Sequence, residues 1–257
     1  MAWKKFPYSD TAYAYAGAAL EKNWARLHRG DCEPFPQDAK VQEAWRSYHA
    51  GDFGKAVETG LACGLAGYNV ANKAAAIYAN YLERDDERKR SLLMEVAQRC
   101  EEQQEKTPHD ANAWYLHAFA LGRYSQSISV VKALAQGLGG KIKHSLTRAL
   151  EIEARHADAH VALGAYHAEV IDKVGALVGG LTYGAKKTTG NELLEIALKL
   201  NPDSAITRIE YANALVMMFG KARMKDAERL YQEAAAFTPM DAMERLDVEA
   251  AKEELAD

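Results

Sequence analysis

One junction, in which a helix ends, turns and restarts, recurs four times in the chain. Its copies are Pro108-His-Asp-Ala111, Ala154-Arg-His-Ala157, Pro202-Asp-Ser-Ala205 and Pro239-Met-Asp-Ala242. In each, a last helical Ala or Gln (Gln103, Ala149, Ala197, Ala234) lies five residues before the first member. The Ala that closes the motif opens the next helix. Proline cannot continue a helix, and Asp, Ser or Asn at the restart can cap one. A junction repeated in this way makes the fold a stack of helix pairs.

The rest of the sequence agrees. Apolar spacings are three and four, without sustained alternation, so no strand is expected. Gly51-Asp-Phe53-Gly-Lys-Ala56 reads as a tight turn between antiparallel helices. Trp24-x5-Gly30-Asp31 and Trp45-x5-Gly51-Asp52 read as two like helix ends, with glycine as the left-handed cap. A first helix is expected from the Ser9-Asp10 cap to about His28. Ala227, Tyr231, Ala234 and Pro239 supply the second-helix set of a tetratricopeptide repeat. Trp114…Ala118, Leu163-Gly164 and Tyr211-Ala212 supply the first-helix set. Small residues let paired helices approach closely, and large ones fill the space between pairs. The expected fold is all-α, a tetratricopeptide-like helix-turn-helix solenoid. It is a single helical-repeat domain over 1–257, with divergent N-terminal helices in 1–106 and clearer repeats in 107–257. Tyr13, Tyr15, Trp24, Trp45 and Tyr48 fall at helical spacings and are expected in the core.

The repeat is stretched twice. The junctions are 46 (108 to 154), 48 (154 to 202) and 37 (202 to 239) residues apart, against about 34 for a standard repeat. The first two intervals therefore carry insertions, near 125–140 and 172–188, each inside a helix pair. They resemble one another: Ala133-Leu134-x-x-Gly137-Leu138 recurs 43 residues later as Ala176-Leu177-x-x-Gly180-Leu181. Both are apolar and glycine-rich, unlike ordinary surface loops. One reading makes each a short extra helix plugging the repeat, with glycine at its C-cap. The other makes them line an apolar pocket or pore, or meet another chain. In the second reading Leu134, Leu138, Leu177, Leu181 and Tyr183 would form the contact. Lys141 and Lys186 would flank it, and His117, His160 and His167 would give it a polar lining.

Catalytic patterns are weak. Ala135–Lys141 has the glycines of a phosphate loop, but Ile142 stands where Ser or Thr should bind magnesium and no strand precedes it. Gly-x-Ser-x-Gly is absent. His156-x3-His160, with His167 seven residues on, has helical metal-ligand spacing. A metal protein or enzyme using His117, His160 and His167 is therefore an alternative, although neither a bound metal nor a cofactor is expected. The net charge of −4 does not suggest nucleic-acid binding. Charge is uneven: residues 111–150 lack Asp and Glu, whereas 225–257 carry ten acids against four bases. A homo-oligomer pairing these regions is a further alternative. Three scattered cysteines and no apolar run of membrane-spanning length lead to an expected cytoplasmic location.

The strings Tyr124-Ser-Gln-Ser-Ile-Ser, Gly140-Lys141-Ile142-Lys143, His156-Ala-Asp-Ala-His160, Leu163-Gly164 and Leu198-Lys-Leu-Asn-Pro202-Asp203 resemble the TRAP-transporter T-component family. More distantly, the chain is similar to the regulator-of-microtubule-dynamics proteins. The resemblance covers roughly half the chain and implies an all-helical scaffold with a central apolar pore or groove. It also implies a protein partner, a periplasmic substrate-binding protein. The chain differs from the lipoproteins of that family: Cys32 follows Arg29-Gly-Asp31, and no lipobox precedes it. A non-catalytic scaffold for a partner protein, an apolar small ligand, or both is the resulting expectation.

Overall fold

The computed structural model describes residues 3–256, which contain helices and turns and no strand. Fourteen α-helices run in order: α1 (Ala19–Leu27), α2 (Ala39–His49), α3 (Phe53–Ala62), α4 (Tyr68–Tyr81), α5 (Asp86–Lys106), α6 (Ala111–Gln126), α7 (Val130–Ala135), α8 (Leu138–Ile152), α9 (Ala157–Val174), α10 (Ala176–Tyr183), α11 (Lys187–Leu200), α12 (Ala205–Phe219), α13 (Met224–Ala235) and α14 (Ala242–Ala256). The helix pairs are α2/α3, α4/α5, α6/α8, α9/α11 and α12/α13. The insertions are α7 and α10, each placed between the members of a pair. The fold is thus all-α and tetratricopeptide-like.

The chain forms two compact units. The first runs to Ile152 without Arg29–Asp31 and includes Met240–Met243. The second holds Arg29–Asp31, Glu153–Pro239 and the segment from Glu244. The division along the chain falls at residue 152, within the stretch expected to be continuous repeats.

Local chemistry sets the helix starts. Asp38, Asp52, Asp85 and Asp110 each accept a backbone N–H from the first turn of α2, α3, α5 and α6. Ser204 does so for α12. Each such cap satisfies a donor that the helix itself leaves open.

The N-terminus departs from the expected continuous helix. Asp10 does cap, but only a 3-10 turn over Thr11–Ala14. Tyr15 and Gly17 then take positive φ (44° and 56°), which breaks the helix before α1. The two Trp-x5-Gly-Asp segments also end differently. Gly51 takes the left-handed conformation after α2 (φ 84°), whereas after α1 it is Cys32 that does so (φ 51°). Gly30 serves close packing instead. Its carbonyl accepts the Asp158 N–H at 3.0 Å, and a Cβ there would sit 2.3 Å from Asp158 Oδ1.

In the first unit Tyr13, Tyr15, Trp24, Trp45 and Tyr48 are all buried, as their spacing suggested. Tyr15, Trp24, Trp45 and Tyr48 pack around a polar relay. His49 Nδ1 lies 2.8 Å from Asp241 Oδ2, and His49 Nε2 lies 3.3 Å from His28 Nε2. In the second unit Val161, Leu194, Ala197, Leu215, Met218 and Leu230 form the centre of a core shared by α9, α11, α12 and α13. Gly164 and Gly190 let α9 and α11 touch. A Cβ on Gly164 would come within 2.6 Å of Leu194 Cγ, and one on Gly190 within 3.0 Å of His167 Cβ.

Candidate functional site

Each insertion is a short helix, and each is described within its own unit. Ser129 caps α7, its Oγ accepting the Lys132 N–H at 3.2 Å. Gly137 (φ 64°) ends that helix before α8. Gly175 (φ 80°) turns the chain into α10, and Gly184 (φ 65°) turns it out. The C-terminal glycines fulfil the expected role of left-handed caps.

The apolar side chains of these helices face solvent. Leu134 is 46 % exposed on α7, and on α10 Leu177 is 76 % and Leu181 82 % exposed. Val130, Val131 and Val178 are exposed as well. A side chain that open lines no enclosed pocket. Leu138 differs: it is only 4 % exposed, at the first position of α8. Tyr183 is half-buried, while Lys141 and Lys186 are exposed.

The histidines stay apart and have structural partners of their own. His117 is buried on α6, with Nδ1 2.8 Å from Ser145 Oγ on α8 and Nε2 3.4 Å from the Glu101 carboxylate. Burial pushes its pKa below the ordinary histidine value; Glu101 opposes this, and Lys141 and His144 push it further down. His167 is buried on α9 and accepts the Lys186 N–H at 3.0 Å, which pins the exit of α10. The structure therefore brings His117 near Lys141 and His167 against Lys186, one such pair at the base of each insertion. His160 Nε2 meets the Ala154 carbonyl at 3.0 Å. His156, read as part of a ligand spacing, is the buried N-cap of α9, with Nδ1 accepting the Ala159 N–H at 3.1 Å. Among the described residues no three His, Cys, Asp or Glu side chains come together as metal ligands would.

Other features bear on the remaining alternatives. Part of the acidic C-terminal charge is held in ion pairs: Glu233 with Arg208 and Arg229, Glu249 with Arg245 and Lys252, and Asp226 with Arg223. The three cysteines form no disulfide with one another, and burial drives the Cys100 thiol far up. Tyr166, near Tyr183, has a buried hydroxyl without a hydrogen-bond partner. Burial raises it to about 12, with Tyr183 adding to the effect. No described helix is long and apolar enough to cross a membrane.

Sequence reasoning missed two elements. One is the His28–His49–Asp241 relay, whose members are too far apart along the chain to signal one another. The other is a second apolar exposure, Val216, Met217 and Met224 around the α12–α13 turn. Its signal was available as apolar residues beside the basic string Lys221-Ala-Arg-Met-Lys225.

No protein-family model matches the sequence, and no curated protein matches it either. Among solved structures the chain is similar to a thermophilic tetratricopeptide-repeat protein of Thermus thermophilus. The TM-score is 0.57 at 16 % identity, covering 83 % of this chain and 97 % of that one. That likeness carries the fold.

Proposed function

We propose that the chain is a non-catalytic helical-repeat scaffold whose two insertion helices are its contact surfaces for partners larger than a small ligand, a macromolecule or a membrane. The observation that carries this is the exposure of Leu134 on α7 and of Leu177 and Leu181 on α10. Single exposed leucines are commonplace, but a short, matched apolar helix presented twice is not what a solvated loop needs. The surrounding packing supports it. Leu138, His117 and His167 are buried, and His167 holds the exit of α10 through the Lys186 N–H. The openness of these side chains favours a macromolecular surface over an enclosed small ligand.

A photo-reactive amino acid placed at Leu134 or at Leu181 in the full chain tests this in cells. Capture is expected at both positions, of a macromolecule at Leu134 and of a macromolecule or membrane lipid at Leu181, and not at Met94, an exposed apolar residue on α5. Equal capture at Met94 would refute the reading. Leu134→Asp and Leu177→Asp/Leu181→Asp should abolish binding with helicity unchanged. A loss of helicity would make these residues part of the packing.

A further inference from the structure

We infer that the occupant of the second contact surface is an anionic membrane, with α10 seated in the headgroup region. This rests on reading α10 as a contact surface and names what it contacts. The relevant end of the second unit is made of two segments. One is α10 itself, running from the end of α9 to the start of α11. The other is the turn from α12 to α13. Lys187 Nζ lies 5.4 Å from the Phe219 ring centroid, and a Cβ on Gly190 would come 3.2 Å from Met218 Sδ. The start of α11 is thus packed against the end of α12, which puts both segments at the same end. There they expose Leu177, Val178 and Leu181 together with Val216, Met217 and Met224.

The charge at this end is opposite to that of the whole chain. Segments 169–190 and 216–226 carry Lys173, Lys186, Lys187, Lys221, Arg223 and Lys225 against the acids Glu169, Asp172 and Asp226, in a chain of net charge −4. Asp226 is paired with Arg223 and Glu169 with Lys173, which leaves Lys186, Lys187, Lys221 and Lys225 as the excess, against Asp172. Helix α10, Ala-Leu-Val-Gly-Gly-Leu-Thr-Tyr, has no charge at all. Apolar tips with a collar of lysines suit an anionic bilayer: the apolar side chains enter the acyl boundary while long basic side chains reach the phosphates. The cores of protein interfaces, by contrast, are depleted in lysine. At eight residues, α10 can lie in the interface but cannot span the bilayer.

Co-sedimentation of the full chain with vesicles decides the matter. Vesicles of phosphatidylcholine and phosphatidylglycerol in equal parts are compared with pure phosphatidylcholine, at low and raised salt. Binding is expected to the anionic vesicles and to weaken with salt. Leu177→Asp/Leu181→Asp should lower it by about tenfold or more, with the circular dichroism spectrum unchanged. Lys186→Glu and Lys221→Glu should each lower it by about fivefold and erase the anionic preference. Absence of binding to anionic vesicles overturns the inference. If photo-capture at position 181 then still yields a protein, the contact surface stands with a protein as its occupant. Binding that survives the two leucine changes but is lost with the lysine changes is adsorption by charge alone, and it also overturns the inference. Equal binding to both vesicle types does the same.

Discussion

At one end of the helix pairs in the second unit, where α9 and α12 begin, the chain is closed and polar. His156 and Ser204 cap the helices, Gly30 accepts the Asp158 N–H, and Arg29 Nη1 donates to Asp203 Oδ2 at 2.7 Å. Toward this end the exposed large apolar side chain among the described residues is Ile196 on α11. At the other end, around α10 and the α12–α13 turn, leucine, valine and methionine face solvent among basic residues. The same helices thus satisfy their backbone groups tightly at one end and leave apolar surface open at the other. The lesson is that the repeat's stability and its contacts are assigned to opposite ends of one set of helices. The junction can repeat with little change while the insertion varies.

Three measurements can break or sharpen that contrast. The helix contact that both ends depend on should be the most sensitive. Gly164→Leu would drive its side chain into Leu194 and the Gly190 backbone, lowering stability by about 3 kcal/mol in chemical denaturation. A loss below about 0.5 kcal/mol would mean that α9 and α11 do not need their close approach. At the closed end, His156→Ala removes a buried cap and should cost about 2 kcal/mol in thermal unfolding. If the solvent-facing change Leu181→Asp costs as much, the contrast between the ends fails.

The smallest effect extends the comparison to the first unit. His117 is held below its ordinary value of 6.5, chiefly by burial. The unfolded chain therefore takes up the proton first as pH falls. The stability that neutral His117 contributes is complete above about pH 6.5. It declines as pH drops below that value and levels off under the folded pKa. His117→Asn should flatten this part of the stability profile, measured as melting temperature between pH 7.5 and pH 5. An unchanged slope would assign the pH dependence to other groups.

Much of the fold was legible because its signals are local. The junctions at Pro108, Ala154, Pro202 and Pro239, the caps at Asp52 and Asp110, and the three-and-four spacing all act within one or two helical turns. The duplication of the insertions was legible for the same reason: a period survives in one dimension. The candidate site was legible only in part. Leu134, Leu177 and Leu181 are open while Leu138, identical in type and part of the same repeated motif, is buried. Leu138 lies at the start of α8 rather than on an insertion helix, and it is buried there. The histidine spacing suggested a ligand set, yet His156 is spent on a cap, His160 on a carbonyl and His167 on the Lys186 N–H.

By itself, then, the sequence determined that the chain forms helix pairs, where they turn and where the repeat is stretched, since propensity, capping and periodicity are short-range. Only the tertiary structure decided which apolar residues meet water, that the α12–α13 turn joins α10 at one end, and that Asp241 reaches back to His49. Burial and charge proximity depend on which distant segments pack together, and no local pattern carries that information.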